Sequence, residues 1–152
     1  MIKHIDHINF VVSDLDLMLG FYHDALGLKV TKRVSISGDW IDRVVGLQGS
    51  QADVVYLEAS EGPRIELIRY HHPPRPNPPK RDLPHACGLR HLAFRVCNID
   101  TIVNQLERAG IEFFSDVQRV PASQVTYADG ASKRLVYFRD PEGNLLEFCE
   151  YK

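Results

Sequence analysis

The chain has 152 residues, 44% of them hydrophobic, and carries 18 Lys and Arg against 20 Asp and Glu, a formal charge of -2. That content suits a packed core in one domain or two small fused modules, and the absence of long single-sign runs argues against a nucleic-acid or membrane surface. No apolar stretch after Met1 reads as a signal peptide or a spanning helix, so a cytoplasmic protein with a small-molecule partner is expected.

Residues 5–12 alternate, with Ile8, Phe10 and Val12 on one face and His7, Asn9 and Val11 on the other, which predicts a strand with His7 turned from the more apolar side. Ser13, Asp14 and Asp16 offer N-cap chemistry. The spacing of Leu15, Leu19, Phe21 and Tyr22 then predicts a helix that stops at Gly27. A strand over 28–36 and a short helical turn or loop over 39–47, bearing the single tryptophan, Trp40, come next. Residues 54–59 and 64–70 read as two strands joined by Ser60, Glu61, Gly62 and Pro63, a hairpin that carries Glu66.

The pattern then starts again. His91, Ala93 and Arg95 alternate with Leu92, Phe94 and Val96, and Asn98 and Asp100 can cap a helix that ends at Gly110. A shift of 84 residues carries His7 onto His91, Phe10 onto Phe94 and Asp16 onto Asp100, while a shift of 81 lays VYLEASEGPRIEL over VYFRDPEGNLLEF, bringing Glu66 onto Glu147. The expected organisation is α+β: two tandem βαβββ modules, residues 1–70 and 85–152. Between them lies a connector over 71–84 that holds six of the nine prolines and is expected to be extended. His71 and His72 are expected to be solvated there.

One histidine in a strand is usually structural; two at equivalent repeat positions, beside two glutamates at equivalent positions on apolar strands, are a pattern. An unpaired carboxylate in such a strand is costly, and a cation shared by His7, Glu66, His91 and Glu147 would balance both. Two imidazoles and two carboxylates suit zinc, nickel, cobalt, manganese or iron(II) rather than calcium, magnesium or copper(I). Four protein donors leave two places on a six-coordinate ion for a substrate with two adjacent oxygens. The two carboxylates offset the ion's charge, so an anionic enolate or enediolate would gain from the site. The cysteines, Cys87, Cys97 and Cys149, are odd in number and lack CxxC spacing, which fits small apolar residues rather than disulfides or a thiolate metal site.

The stretches HINFVVSDLDLMLGFYHDALGLKV, RIELIRY, GLRHLAFRVCNIDTIVNQLERAGIEF and VYFRDPEGNLLEFCEY resemble the vicinal oxygen chelate superfamily, which includes glyoxalase I, methylmalonyl-CoA epimerase, extradiol dioxygenases and the bleomycin resistance proteins. The resemblance covers nearly the whole chain. It implies paired βαβββ modules forming an open, barrel-like mixed sheet around a metal, with His7, Glu66, His91 and Glu147 on the ligand positions. The order His, Glu, His, Glu matches bacterial glyoxalase I, but Val11 and Tyr70 stand where glutathione-binding residues would be. The second module is similar to methylmalonyl-CoA epimerase, which usually carries glutamine at the place of Glu66.

The activity this implies is removal of a proton α to a carbonyl, with Glu147, or else Glu66, as the base, acting on a substrate with adjacent oxygens or a thioester carbonyl. An iron(II) extradiol-type dioxygenase is the alternative, with Tyr137 across the hairpin from Glu147 in the place of that class's tyrosine; Tyr56 at the equivalent position makes cross-strand packing the plainer role. A non-catalytic binding or resistance protein is the second alternative. Asn9 and Arg95, on the strand faces of His7 and His91, are candidate substrate contacts. A homodimer is expected, with the modules paired within one chain or exchanged between two.

Overall fold

The computed structural model describes residues 2–76, 83–125 and 131–152. The chain divides into two compact units, Met1–Pro78 and Pro79–Lys152. Each is built on a four-stranded mixed sheet.

In the first unit β1 (His7–Val11) lies parallel to β4 (Arg64–His72), and β2 (Lys29–Ser37) and β3 (Gln51–Glu58) complete the sheet in the order β1-β4-β3-β2. A parallel neighbour requires a long crossover. The helical segment after β1 begins it: α1 (Leu15–Leu19) starts where Asp14 accepts a hydrogen bond from the Leu17 N–H. The helix predicted to run on to Gly27 instead widens into a π-helical turn over Gly20–Ala25. That segment buries Met18, Leu19, Phe21 and Tyr22. A short helix, α2 (Asp39–Val45), follows β2.

The second unit repeats this plan with β5 (His91–Arg95), α3 (Ile99–Arg108), β6 (Gln118–Arg119), β7 (Lys133–Arg139) and β8 (Leu145–Tyr151), in the order β5-β8-β7-β6. Its core holds Phe138, Phe148, Leu145 and Leu146, with Ile99 and Leu106 from α3 also fully buried. The α3 cap differs from expectation. Asn98 adopts a left-handed conformation and its side chain does not cap; Glu150, on β8, accepts from the Asn98 and Ile99 N–H groups instead.

The duplication extends to register. Glu66 lies opposite Asn9 and Tyr56, and Glu147 opposite Ala93 and Tyr137, the same strand positions in each unit. Gly62 and Gly143, equivalent in the two hairpin turns, both have positive φ, 96° and 84°, a conformation that costs a side chain energy and so selects glycine.

Strand β4 continues through His72, beyond the expected end of the first module. His71 is therefore a strand residue rather than a linker histidine, and its Nε2 sits 2.7 Å from Asp53 Oδ2 on the neighbouring strand. Residues 77–82 of the expected connector lie outside the described residues.

Candidate metal and substrate site

The first strand of each unit has the same burial alternation. His7, Asn9 and Val11 are exposed while Ile8 and Phe10 are half-buried; His91, Ala93 and Arg95 are exposed while Leu92 and Phe94 are half-buried. The histidines thus stand on the face that does not pack the core, as the alternation in sequence predicts.

In the first unit Glu66 Oε2 lies 3.4 Å from His7 Nε2. Asn9 Nδ2 donates to the same oxygen at 2.7 Å, and the Tyr56 hydroxyl donates to Oε1 at 2.5 Å. Burial, then the hydrogen bond to Glu66, pushes the Tyr56 hydroxyl up to about 12, so it remains a donor at neutral pH. On its other side, His7 Nδ1 faces Asp6 Oδ2 at 2.8 Å, and Arg64 Nη2 donates to that same oxygen at 2.5 Å. These two bonds hold the Asp6 carboxyl below its ordinary range, His7 contributing most. A carboxylate accepting from Nδ1–H fixes the tautomer whose Nε2 carries a lone pair, a recurring support for metal-binding histidines.

In the second unit Glu147 Oε2 lies 3.3 Å from His91 Nε2. Here Lys133, which the sequence reading did not single out, places Nζ 3.2 Å from Glu147 Oε1. Its direction is poor for a hydrogen bond, so Oε1 is buried without a well-aligned donor among the described residues. Lys133 supplies charge rather than a directed bond. Burial works against its protonation, but contacts to Tyr151 and Glu147 outweigh this and raise its pKa. Part of the counter-charge expected from a metal is therefore already present at Glu147. The signal for Lys133 was available: in KRLVYFR it shares a face with Tyr137, opposite Glu147. Tyr137 places its ring beside His91, centroids 5.0 Å apart, with its hydroxyl 3.5 Å from Nδ1.

Both His–Glu separations exceed the usual range of about 2.7–3.2 Å for a directed N–H···O bond. They match the edge between two donors sharing one ion: at bond lengths of about 2.1 Å, cis ligands stand about 3.0 Å apart in an octahedron and about 3.4 Å apart in a tetrahedron. The donor set therefore fits a divalent metal. Among the described residues no group of three or more His, Cys, Asp or Glu converges; each unit offers a pair.

Of the expected substrate contacts, Asn9 donates one amide N–H to Glu66, and Arg95 lies over the Tyr151 ring at 5.3 Å. Trp40 stands 54% exposed on α2.

The model of the Glyoxalase/Bleomycin resistance protein/Dioxygenase superfamily matches residues 4–148, and the chain belongs to that superfamily. It is 31% identical over 156 residues to the uncharacterized protein YaeR of Escherichia coli (strain K12), with 98% of this chain and 97% of that protein covered. It is also 27% identical over 149 residues to a 2-epi-5-epi-valiolone epimerase from Actinomyces sp, covering 94% of this chain and 76% of that one. Among solved structures, a glyoxalase family protein from Bacillus cereus superimposes with a TM-score of 0.83 at 30% identity, covering 99% of this chain and 95% of that one. Two four-stranded mixed sheets with few helices are the α+β glyoxalase-like fold.

Proposed function

We propose that the chain is a divalent-metal-dependent enzyme of the glyoxalase and epimerase kind, which removes a proton α to a carbonyl and returns it to the same or a neighbouring carbon. His7, Glu66, His91 and Glu147 are the ligands this reading assigns to the ion. One observation carries this reading: the two units present the same His–Glu pair at the same strand positions, with N···O separations of 3.4 and 3.3 Å. When bound, the ion would act as a Lewis acid on the substrate carbonyl and stabilise the negative charge that develops there.

The two glutamates have different surroundings, which supports different roles. Glu66 has Tyr56 on one oxygen and Asn9 on the other, so it is held as a fixed charge. Glu147 has Lys133 and Tyr137 beside it and one oxygen without an aligned donor among the described residues. We therefore assign Glu147 Oε1 as the acceptor of the α proton, with Lys133 stabilising its charged form beforehand. The similarity to a protein named as an epimerase favours proton transfer over oxygenation.

The test is solvent-deuterium exchange into 2-oxo aldehydes and α-branched acyl thioesters by metal-loaded protein, run beside oxygen uptake on catechols. Exchange without oxygen consumption is expected, and Glu147→Gln should slow it at least ~100-fold while leaving the fold intact. Oxygen consumption instead would replace this reading with a ring-cleaving dioxygenase. Tight ligand binding with neither would make the chain a binding protein.

A further inference from the structure

The sheet face of the second unit carries a recess of about 530 Å³ lined by His91, Arg95, Lys133, Glu147, Cys149 and Tyr151 among others. Among the described residues of its lining, Arg95 and Lys133 bring two cations and Glu147 one carboxylate. Lys133 Nζ is 3.2 Å from Glu147, but the described residues place no carboxylate at Arg95 within ion-pair distance; its contact is the Tyr151 ring. Lys133 lies 5.5 Å from the centroid of that same ring, so two like charges share one aromatic side chain.

The repeat shows that this is not part of the duplicated scaffold. His–Glu and the tyrosines Tyr56/Tyr137 and Tyr70/Tyr151 recur in both units, but the positions equivalent to Arg95, Lys133 and Cys149 in the first unit are Val11, Ala52 and Ile68. The second unit alone has cations where the first has apolar side chains.

We infer that this recess is an oxyanion subsite in which Arg95 and Lys133 hold a carboxylate or phosphate group of the substrate. The substrate class is then a small carbonyl compound bearing an acidic group, bound with that group over Tyr151 and its reacting carbon toward Glu147. A guanidinium offers a carboxylate or phosphate two parallel N–H donors, and stacking on Tyr151 holds that fork in place. The role in turnover rests on the metal-dependent reading above; binding of the anion does not.

The test is therefore made on the full chain freed of metal with EDTA, by calorimetric titration with malonate, with inorganic phosphate and with uncharged malonamide. Saturable binding of one equivalent of malonate or phosphate, and none of malonamide, is expected; the tighter of the two identifies the acidic group. Arg95→Met should weaken it about tenfold or more, with Arg95→Lys intermediate. Unchanged binding in Arg95→Met, equal binding of malonamide, or no saturable binding of either anion would overturn the inference. Should the protein bind no metal yet still bind the anion through Arg95, the subsite stands and only the proposed metal chemistry falls.

Discussion

Asp6 is the most informative residue to remove, because it touches no proposed substrate group and reaches the site through its bonds to His7 and Arg64. Its Oδ2 lies 2.8 Å from His7 Nδ1 and 2.5 Å from Arg64 Nη2, so Asp6→Ala deletes the group that fixes the imidazole tautomer and ring orientation. Losing such an outer carboxylate typically weakens metal binding about 10- to 100-fold. The Asp6 side chain is 58% exposed, and water can take its place at Nδ1, so the lower end, about tenfold, is the expected loss. Asp6→Asn keeps an acceptor without the charge and should fall between Asp6→Ala and wild type. Competition with a chromophoric zinc chelator reads the affinity, and the melting temperature of the metal-free protein serves as control. Wild-type affinity in Asp6→Ala would refute the positioning role. A loss as large as that of His7→Ala would mean that Asp6 is itself a ligand.

Three further outcomes follow from the packing and charge. Phe138 is fully buried, its ring centroid 4.4 Å from Phe148 and 5.1 Å from Phe113, so Phe138→Ala should cost about 3–5 kcal/mol in urea denaturation. Gly143→Ala, at φ 84° in the hairpin turn, should cost about 1–2 kcal/mol by the same measurement. The hydrogen bond from Arg134, followed by the Asn98 and Ile99 N–H groups, draws the Glu150 carboxyl down to about 2. A carboxyl depressed in the folded state stabilises above its unfolded pKa, and that contribution is lost as pH falls through the folded value. The stability gap between wild type and Glu150→Gln should therefore be full near neutral pH and close as acid carries the protein from about pH 4.3 toward 2, followed by thermal melts across that range. A gap that stays constant with pH would contradict it.

The parts of the fold legible in the sequence are those set by short-range pattern. Alternation at His7–Val11 and His91–Arg95 revealed which face each histidine takes, and the Gly62 and Gly143 turns, aligned by the repeat, marked both hairpins and their registers. Features made across sequence distance were not legible. Glu150 caps α3 from 52 positions along the chain from Asn98, so the local N-cap candidate was taken by a long-range partner. The helix predicted to end at Gly27 keeps Met18, Leu19, Phe21 and Tyr22 buried, but its second half is a π turn. His71 was hidden by its proline-rich neighbours, though Asp53 on the next strand holds it in the sheet. At the candidate site, the pattern indicated the two His–Glu pairs and Tyr137. Lys133, Asp6 and the hydrogen bonds that distinguish Glu66 from Glu147 depend on side-chain reach, which periodicity does not encode.

The measurement that bears most directly on the shared site is the divalent-metal content per chain, determined by elemental analysis for wild type and for the His7→Ala/Glu66→Gln and His91→Ala/Glu147→Gln double variants. A single ion requiring both pairs predicts close to one equivalent in wild type and almost none in either double variant. Two equivalents in wild type with one surviving in each variant, or no bound metal at all, would contradict it.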